Sequence, residues 1–411
     1  MSKRLLILGG GYEQLHAVRI AKELGAYVIV FDGHEIAPCQ IEANEFHQVN
    51  IKNTTELLQK CSEVKPEAIF VHAAELAIEA ARIAEKFNLI GLSQDQAKRG
   101  TDKSVRSECF RQADINIPLF KALGEKASWK EWEKAAGAIS FPLIVKPTKL
   151  AGAQGVMLVK NKDELQEYFQ SRTQFTGQKF IIEQYVEGEQ LSTESVLVSG
   201  ELISCAVALR HYDTTKNLFP YQIEDGHSMP WDGTKHYISA IEKVTEKAAK
   251  ALGMQDGVLK GDIIIKEDGT LIVLEMAVRT SGGRFCDTVV PLSSGVHILY
   301  PLIQRALGQS VSFDALKPQY NVGVSQRFVL VPAGTPLKKS KKIQKIVMRD
   351  YVSASWFRDD IMELEQAPTI TSHRDRLGYV ICTGKNRMVA DARAREIVQE
   401  ITDEITGAAV C

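Results

Sequence analysis

No stretch of this sequence is apolar for long enough to span a bilayer, which takes about 20 residues, so no membrane partner is expected. Neither sign of charge is in excess, since 50 basic and 51 acidic side chains leave a formal charge of −1. That balance argues against a surface built for nucleic acid or anionic lipid. The seven cysteines are scattered and form no CxxC pair, so they read as reduced thiols rather than a disulfide framework or thiolate zinc site. His16, His34, His211 and His227 fall into no H-E-x-x-H or similar metal pattern. The opening residues, MSKRLLILGGG, run straight into a strand without a signal-peptide core, and cytoplasmic residence is expected.

What is present is ordinary globular composition, 45% hydrophobic and 25% charged over 411 residues. That length exceeds one core and implies two or three domains. Residues 1–115 alternate strands with helical stretches: RLLILGGG, a helix over about 13–24, AYVIVFD ending at Asp32, AIFVHAAE, a helix ending near Asn88, then LIGLS. This pattern predicts a small parallel, Rossmann-like α/β sheet. Residues 116–318 hold FPLIVKPT, GVMLVK, KFIIEQYV and LSTESVLVSGELISCAVAL, with the amphipathic helix HYISAIEKVTEKAAKALG. They predict an α+β unit of antiparallel hairpins, with a central subdomain over about 116–190. From 319 to 411, QRFVLVPAG, KKIQKIVMRD and RLGYVICTG precede a helix near 387–404. A small C-terminal antiparallel sheet with one helix is expected there, and the lysine-rich KPQYNV…TPLKKSKK region reads as solvated turn and strand.

Gly9, Gly10 and Gly11 close the first strand and Asp32 the second, at roughly the spacing of a dinucleotide site. The segment is GGGYEQ rather than G-x-G-x-x-G, however. Tyr12, Glu13 and Gln14 would crowd or repel a pyrophosphate. The glycines therefore read as a structural turn, or as a loop facing a substrate in a neighbouring domain. An NAD- or FAD-dependent oxidoreductase would rest on this cluster alone.

A second constellation is richer. Lys146 ends the run FPLIV and precedes AGAQG, in which Gly152 and Gly155 allow a mobile loop whose N–H groups can close over phosphate. No GK[ST] follows, so this is no P-loop. Glu183 and Gln184 end a strand that enters a glycine-containing bend, where they could hold an adenine edge. In GVLKGDIIIKEDGTLIVLEMAVRTSGG, two strand-like runs flank Glu267-Asp268-Gly269 and place Asp262 and Glu275 where they could share a cation. Oxygen ligands of this kind suit Mg2+, with phosphates completing the shell.

Together these segments resemble the ATP-grasp superfamily of carboxylate–amine ligases, over nearly the whole chain. TDKSVRSECFRQADINIP resembles the family's entry helix and FPLIVKP its second lysine strand. AGAQG stands at its phosphate loop, EQYVEGEQLSTES at its adenine hinge and ribose region, and LEMAVRTSGG at its metal-and-arginine signature. The resemblance implies an N-terminal pre-ATP-grasp domain, an ATP-grasp fold and a small C-terminal antiparallel sheet domain. It implies ATP and Mg2+ as cofactors, with Mn2+ as a substitute. Lys103 and Lys146 would contact the phosphates, with Gly152 and Gly155 in the loop above them. Glu183, Gln184 and the backbone at Val186 would line the adenine pocket. Glu189 or Gln190 would hold ribose, Asp262 and Glu275 would hold Mg2+, and Arg279 would stabilise an acyl phosphate or bind the substrate carboxylate. The chain departs from the family at Ala277, where an asparagine oxygen is usual, so a second metal ion would lose that ligand.

The activity so implied is two-step: ATP converts a carboxylate to an acyl phosphate with release of ADP, and an amine displaces phosphate to give an amide. IEDGHSMP and RLGYVICTG resemble segments of L-amino acid ligases, so an amino acid or small peptide-like carboxylate is the expected substrate. Glu194 and Arg210 are candidate substrate-facing residues. The alternatives are a purine-biosynthesis type acting on a ribosyl-phosphate amine, whose opening GGGYEQLHAVRIAKELG also resembles, and a catalytically silent ATP-binding module. Arg19 is the one basic group near the glycine turn that would serve a ribosyl phosphate. A homodimer is the default expectation for such an enzyme.

Overall fold

Successive apolar side chains of RLLIL point to opposite faces of one sheet, and both faces are covered. A computed structural model describes residues 2–311 and 313–407. Its first strands, β1 (Arg4–Leu8), β2 (Tyr27–Asp32), β3 (Glu45–Gln48) and β4 (Ala68–Phe70), are parallel in the order β3-β2-β1-β4. Leu5, Ile7, Val28 and Val30 pack with α1 (Leu15–Glu23) on one face. Leu6, Leu8, Ile29 and Phe31 pack with α2 (Thr54–Val64) and α3 (Ala77–Phe87) on the other. The last of these stops at Asn88, whose left-handed φ of 53° ends the helix where the sequence predicted. Then come α4 (Gln94–Thr101) and α5 (Lys103–Gln112).

The second sheet holds β5 (Phe120–Leu123), β6 (Leu143–Pro147), β7 (Met157–Val159) and β8 (Phe180–Gln184), antiparallel in the order β5-β8-β6-β7. Trp132 of α6 (Trp129–Gly137) and Tyr168 of α7 (Lys162–Ser171) fill its core against Phe180.

The third and largest sheet begins with the hairpin β9 (Glu189–Val198) and β10 (Glu201–His211), then β11 (Gly226–Met229). After α8 (Thr234–Leu252) comes the pair β12 (Gly257–Ile265) and β13 (Leu271–Ala277). Two helices, α9 (Val290–Ser294) and α10 (Leu299–Ala306), precede β14 (Gly323–Val329), α11 (Lys342–Ile346), β15 (Val352–Phe357), β16 (Gly378–Gly384) and α12 (Arg387–Thr406). The C-terminal strands pair antiparallel as expected, and β11 joins them to the rest in one ladder, β13-β12-β9-β10-β11-β14-β16-β15. Residues of α10 share a core with α1 and β1, which ties the largest sheet to the first.

Several local expectations give way. KKIQKIVMRD supplies α11 rather than a strand, because only Ile343 of that helix is buried and its lysines face water. The third C-terminal strand is VSASWF instead. LIGLS and TPLKKSKK form no strand, and AIFVHAAE is extended only over 68–70 before the chain turns away with His72 and Glu75. Among the described residues no helix is long and apolar enough to cross a membrane.

Candidate active site

Asp102 caps α5 by accepting a hydrogen bond from the Ser104 N–H at 3.0 Å, which sets Lys103 at the helix start. Lys103 is buried, and its Nζ donates to the Leu150 carbonyl at 2.5 Å. Burial brings its ammonium down to about 8. Lys146, on β6, lies 2.6 Å from Glu183 Oε2 on the adjacent β8, and both are buried. Gln184 is exposed at the end of β8 and Val186 is half-buried just beyond it.

The chain then crosses into β9 at Gly188, where a Cβ would stand 2.4 Å from the Ile265 carbonyl and φ is 151°, so only glycine fits. Glu189 accepts a hydrogen bond from Trp231 Nε1 at 2.6 Å, while Gln190 is half-buried beside it. The AGAQG loop has left-handed φ values at Gly152, Ala153 and Gly155. It is anchored at both glycines: Gly152 O accepts from the His373 N–H at 2.9 Å, and Gly155 O from the Tyr168 hydroxyl at 2.8 Å.

Asp262 and Glu275 are direct cross-strand partners in the β12–β13 ladder, which breaks register immediately after Asp262. Asp262 is met by Arg210 Nη1 at 3.1 Å, by Ser192 Oγ at 3.2 Å and by the ammonium of Lys260. Glu275 pairs with Arg106 Nη2 at 3.1 Å. Burial alone would raise the Glu275 carboxyl, but Arg106, Lys103, Lys260 and Lys146 hold it well below the ordinary range. Ala277 stands opposite Lys260 and adds no oxygen. Among the described residues no three His, Cys, Asp or Glu side chains are grouped to hold a metal. Two carboxylates with no nitrogen or sulfur donor fit Mg2+ when phosphate oxygens and water supply the remaining positions.

Arg279, beyond β13, is held by Glu75, with Nε 2.6 Å from its Oε1, and by the Thr280 carbonyl at 3.0 Å. Arg106 and Glu75 were not singled out from the sequence. Arg106 falls three residues after Lys103 on one helix face, a spacing that would have flagged it. Glu75 carries no local signal.

A second group lies past Asp262, in which Arg210 was singled out from the sequence and Glu224 and Arg376 were not. Arg210 and the buried Arg376 meet around Glu224: Arg210 Nη2 is 3.1 Å from its carboxylate, and Arg376 Nη2 donates to its carbonyl at 2.5 Å. His227 Nδ1 lies 3.4 Å from the same carboxylate. Arg210 Nε, Arg376 Nε, His227 Nε2 and His373 Nε2 are buried without hydrogen-bond partners. Burial lowers Arg376 to about 10 and pushes His373 well below its ordinary value. Unpartnered basic nitrogens of this kind suit an anionic group. Glu194 is also fully buried, accepts from the Ser281 N–H at 3.1 Å, and has its carboxyl raised to about 7 by burial.

The glycine turn is closed by the protein itself. Asp32 accepts from the Gly10 N–H at 2.7 Å, and Gln14 bridges the Gly11 N–H and the His72 carbonyl. Arg19 is engaged by Glu42 through Nε at 2.9 Å.

The ATP-grasp domain family matches residues 139–288, the stretch that carries Lys146, Glu183, Asp262 and Glu275. Residues 139–288 thus carry an ATP-grasp domain. The chain is 26% identical over 189 residues to a formate-dependent phosphoribosylglycinamide formyltransferase of Prochlorococcus marinus, covering 45% of the chain and 48% of that protein. It thus spans about half the length of that curated relative. The L-amino acid ligase of Bacillus licheniformis superposes with a TM-score of 0.79 at 20% identity, over 97% of this chain and 98% of that one. The phosphoribosylglycinamide synthetase of Anaerococcus prevotii superposes at 0.71 and 21% identity, with the same coverage. These superpositions show a shared fold.

Proposed function

We propose that the chain is an ATP-dependent, ADP-forming carboxylate–amine ligase. The observation that carries this reading is the convergence on Glu275: Asp262 stands opposite it, and Lys103, Lys146, Lys260 and Arg106 are close enough to hold it ionised. Such a site concentrates charge of both signs where phosphoryl transfer needs it. Lys103 and Lys146 would bind the phosphates, with the loop bearing Gly152 and Gly155 closing over them. Glu183, Gln184 and the Val186 backbone would line the base, and Glu189 or Gln190 the ribose. Asp262 and Glu275 would hold Mg2+, and Arg279 would orient the carboxylate with its planar fork. Bound MgATP would supply the phosphoryl group and neutralise charge on the transferring oxygens.

The substrate expected from the sequence is an amino acid or small peptide-like carboxylate, and the likeness to an L-amino acid ligase supports it. Taken together, the comparisons favour the alternative, an amine carried on a phosphorylated ribose, since two of the proteins above are named for phosphoribosylglycinamide. The unpartnered nitrogens around Arg376, rather than Arg19, would serve its phosphate. An ADP-release screen pairing carboxylates with amino acids or phosphoribosyl amines, read by product mass, tests both readings. ADP formed only when both partners are present supports the ligase, and the product mass identifies the amine. Tight MgATP binding without turnover across all pairs would overturn it.

A further inference from the structure

Next to Asp262 and Glu275, the β12–β13 ladder places a lysine where a third oxygen would serve a second divalent ion. Side chains alternate between faces, so the pair that follows these carboxylates on their own face is Lys260 and Ala277. Ala277 is buried and offers no oxygen. Lys260 sends its ammonium back along β12 to Asp262 Oδ2. Its register also sets it diagonal to Glu275, a separation that a long side chain spans. Lys260 thus serves both carboxylates, as a bridging metal ion would, and its charge helps to hold Glu275 ionised. Gly261 locks the strand from the opposite face. A Cβ there would stand 2.4 Å from Thr193 Oγ1 and 2.8 Å from Met276 Sδ, so β12 packs directly onto its neighbours.

The neighbouring guanidinium groups are committed differently. Arg106 reaches Glu275 from α5 and is tied to the Gly100 carbonyl at 2.9 Å. Arg210 is shared between Asp262 and Glu224. Asp262, Glu275 and Glu224 are therefore matched by Arg106, Arg210 and Lys260 before any ligand arrives, with Arg376 beside Glu224 in addition. Divalent ions must then draw their charge balance from bound phosphates, and an ammonium already on Asp262 repels them strongly in a partly buried site. Each carboxylate has about four acceptor positions, so the pair can still take one ion while this flank is filled. We propose that the Lys260 ammonium takes the place of a second divalent ion, so that the site works with one Mg2+ on Asp262, Glu275 and the phosphates. The proposal rests on the MgATP reading above. A cation fixed on a strand supplies its charge whatever the Mg2+ concentration.

Full-length protein would be dialysed to equilibrium with Mn2+, a paramagnetic substitute for Mg2+, and the non-hydrolysable β,γ-imido analogue of ATP. Bound metal and nucleotide are counted, and the frozen complex is read by electron paramagnetic resonance. Two ions in one site lie about 3.5–4 Å apart and give an exchange-coupled spectrum, whereas a single ion gives an uncoupled hyperfine pattern. The wild type is expected to hold one Mn2+ per nucleotide, uncoupled. Ala277→Asn adds an oxygen but leaves the lysine, and should also hold one. Lys260→Gln combined with Ala277→Asn should hold two, with a coupled spectrum. The Lys260 side chain is 16% exposed, so its replacement leaves no buried charge unpaired in the core. Two coupled ions in the wild type or in Ala277→Asn, or a single ion in the double variant, would overturn the role of Lys260 and leave the MgATP reading standing. No nucleotide-dependent Mn2+ uptake by the folded wild type would remove that reading, and the proposal with it.

Discussion

Arg279, in the loop after β13, and Glu75, in the loop after β4, face each other at 2.6 Å across the seam between the first and largest sheets. One carboxylate from a distant part of the chain thereby fixes the plane of the guanidinium before any ligand arrives. A fork held in this way can present its remaining N–H groups to a substrate oxygen at little cost in side-chain freedom.

Arg279→Lys should separate binding from chemistry. Lysine keeps the charge but loses the fork, so kcat should fall about 100-fold, while MgATP affinity, measured by calorimetry, stays near the wild-type value. A variant with unchanged kcat would remove Arg279 from the reaction.

Asp262→Asn should lower ADP release by roughly two orders of magnitude, equivalent to about 3 kcal/mol of lost charge stabilisation, and shift half-saturation to higher Mg2+. Glu275→Gln should abolish turnover and also destabilise the fold, because Arg106 is buried and loses its carboxylate. Identical kinetics at limiting and saturating Mg2+ would falsify the assignment of this pair.

The Lys146–Glu183 pair calls for a double-mutant cycle. Removing either partner alone leaves a buried charge uncompensated, which costs about 3–5 kcal/mol. Lys146→Met with Glu183→Gln should regain most of that stability in urea unfolding while nucleotide binding stays lost. Additive destabilisation would show that the two residues act independently.

Lys103 gives the site a pH dependence. Its ammonium is lowered to about 8 in the fold, against about 10.4 in an unfolded chain, so between those values the unfolded state binds the extra proton. Stability from this group therefore rises as pH climbs from about 8 to about 10.4 and is absent below that window. Nucleotide affinity should move the other way, weakening above pH 8 as the charge is lost. Calorimetry in buffers of different ionisation enthalpy should detect proton uptake on ATP binding near pH 8, and Lys103→Met should abolish it. Binding without proton uptake would remove Lys103 from the phosphate contacts.

Features governed by local rules were legible in the sequence. The Glu267-Asp268-Gly269 turn marked the hairpin that brings Asp262 and Glu275 together, although the register shift after Asp262 that sets them directly opposite had no sequence signal, and Asn88 marked the end of α3. Features set by distant pairing were not. EFHQ of β3 is a half-exposed edge strand without an apolar pattern, and VSASWF pairs only because β16 offers its edge. Glu75 and Arg376 matter through residues far away in the chain, and no window of sequence contains both members of such a pair. Substrate choice was not legible for the same reason: two short segments point to an amino acid and the comparisons favour a phosphoribosyl amine, while the side chains that would choose come from distant parts of the chain.

The bond from the His373 N–H to the Gly152 carbonyl has a consequence for how such a chain can change over generations. The C-terminal strands extend the same ladder that carries Asp262, and the segment before β16 holds the loop that bears Gly152 and Gly155. That end of the protein is therefore no interchangeable cassette. A C-terminal segment borrowed from a cousin would have to match a strand edge and a loop anchor together, so substitutions at the two ends should be inherited as sets.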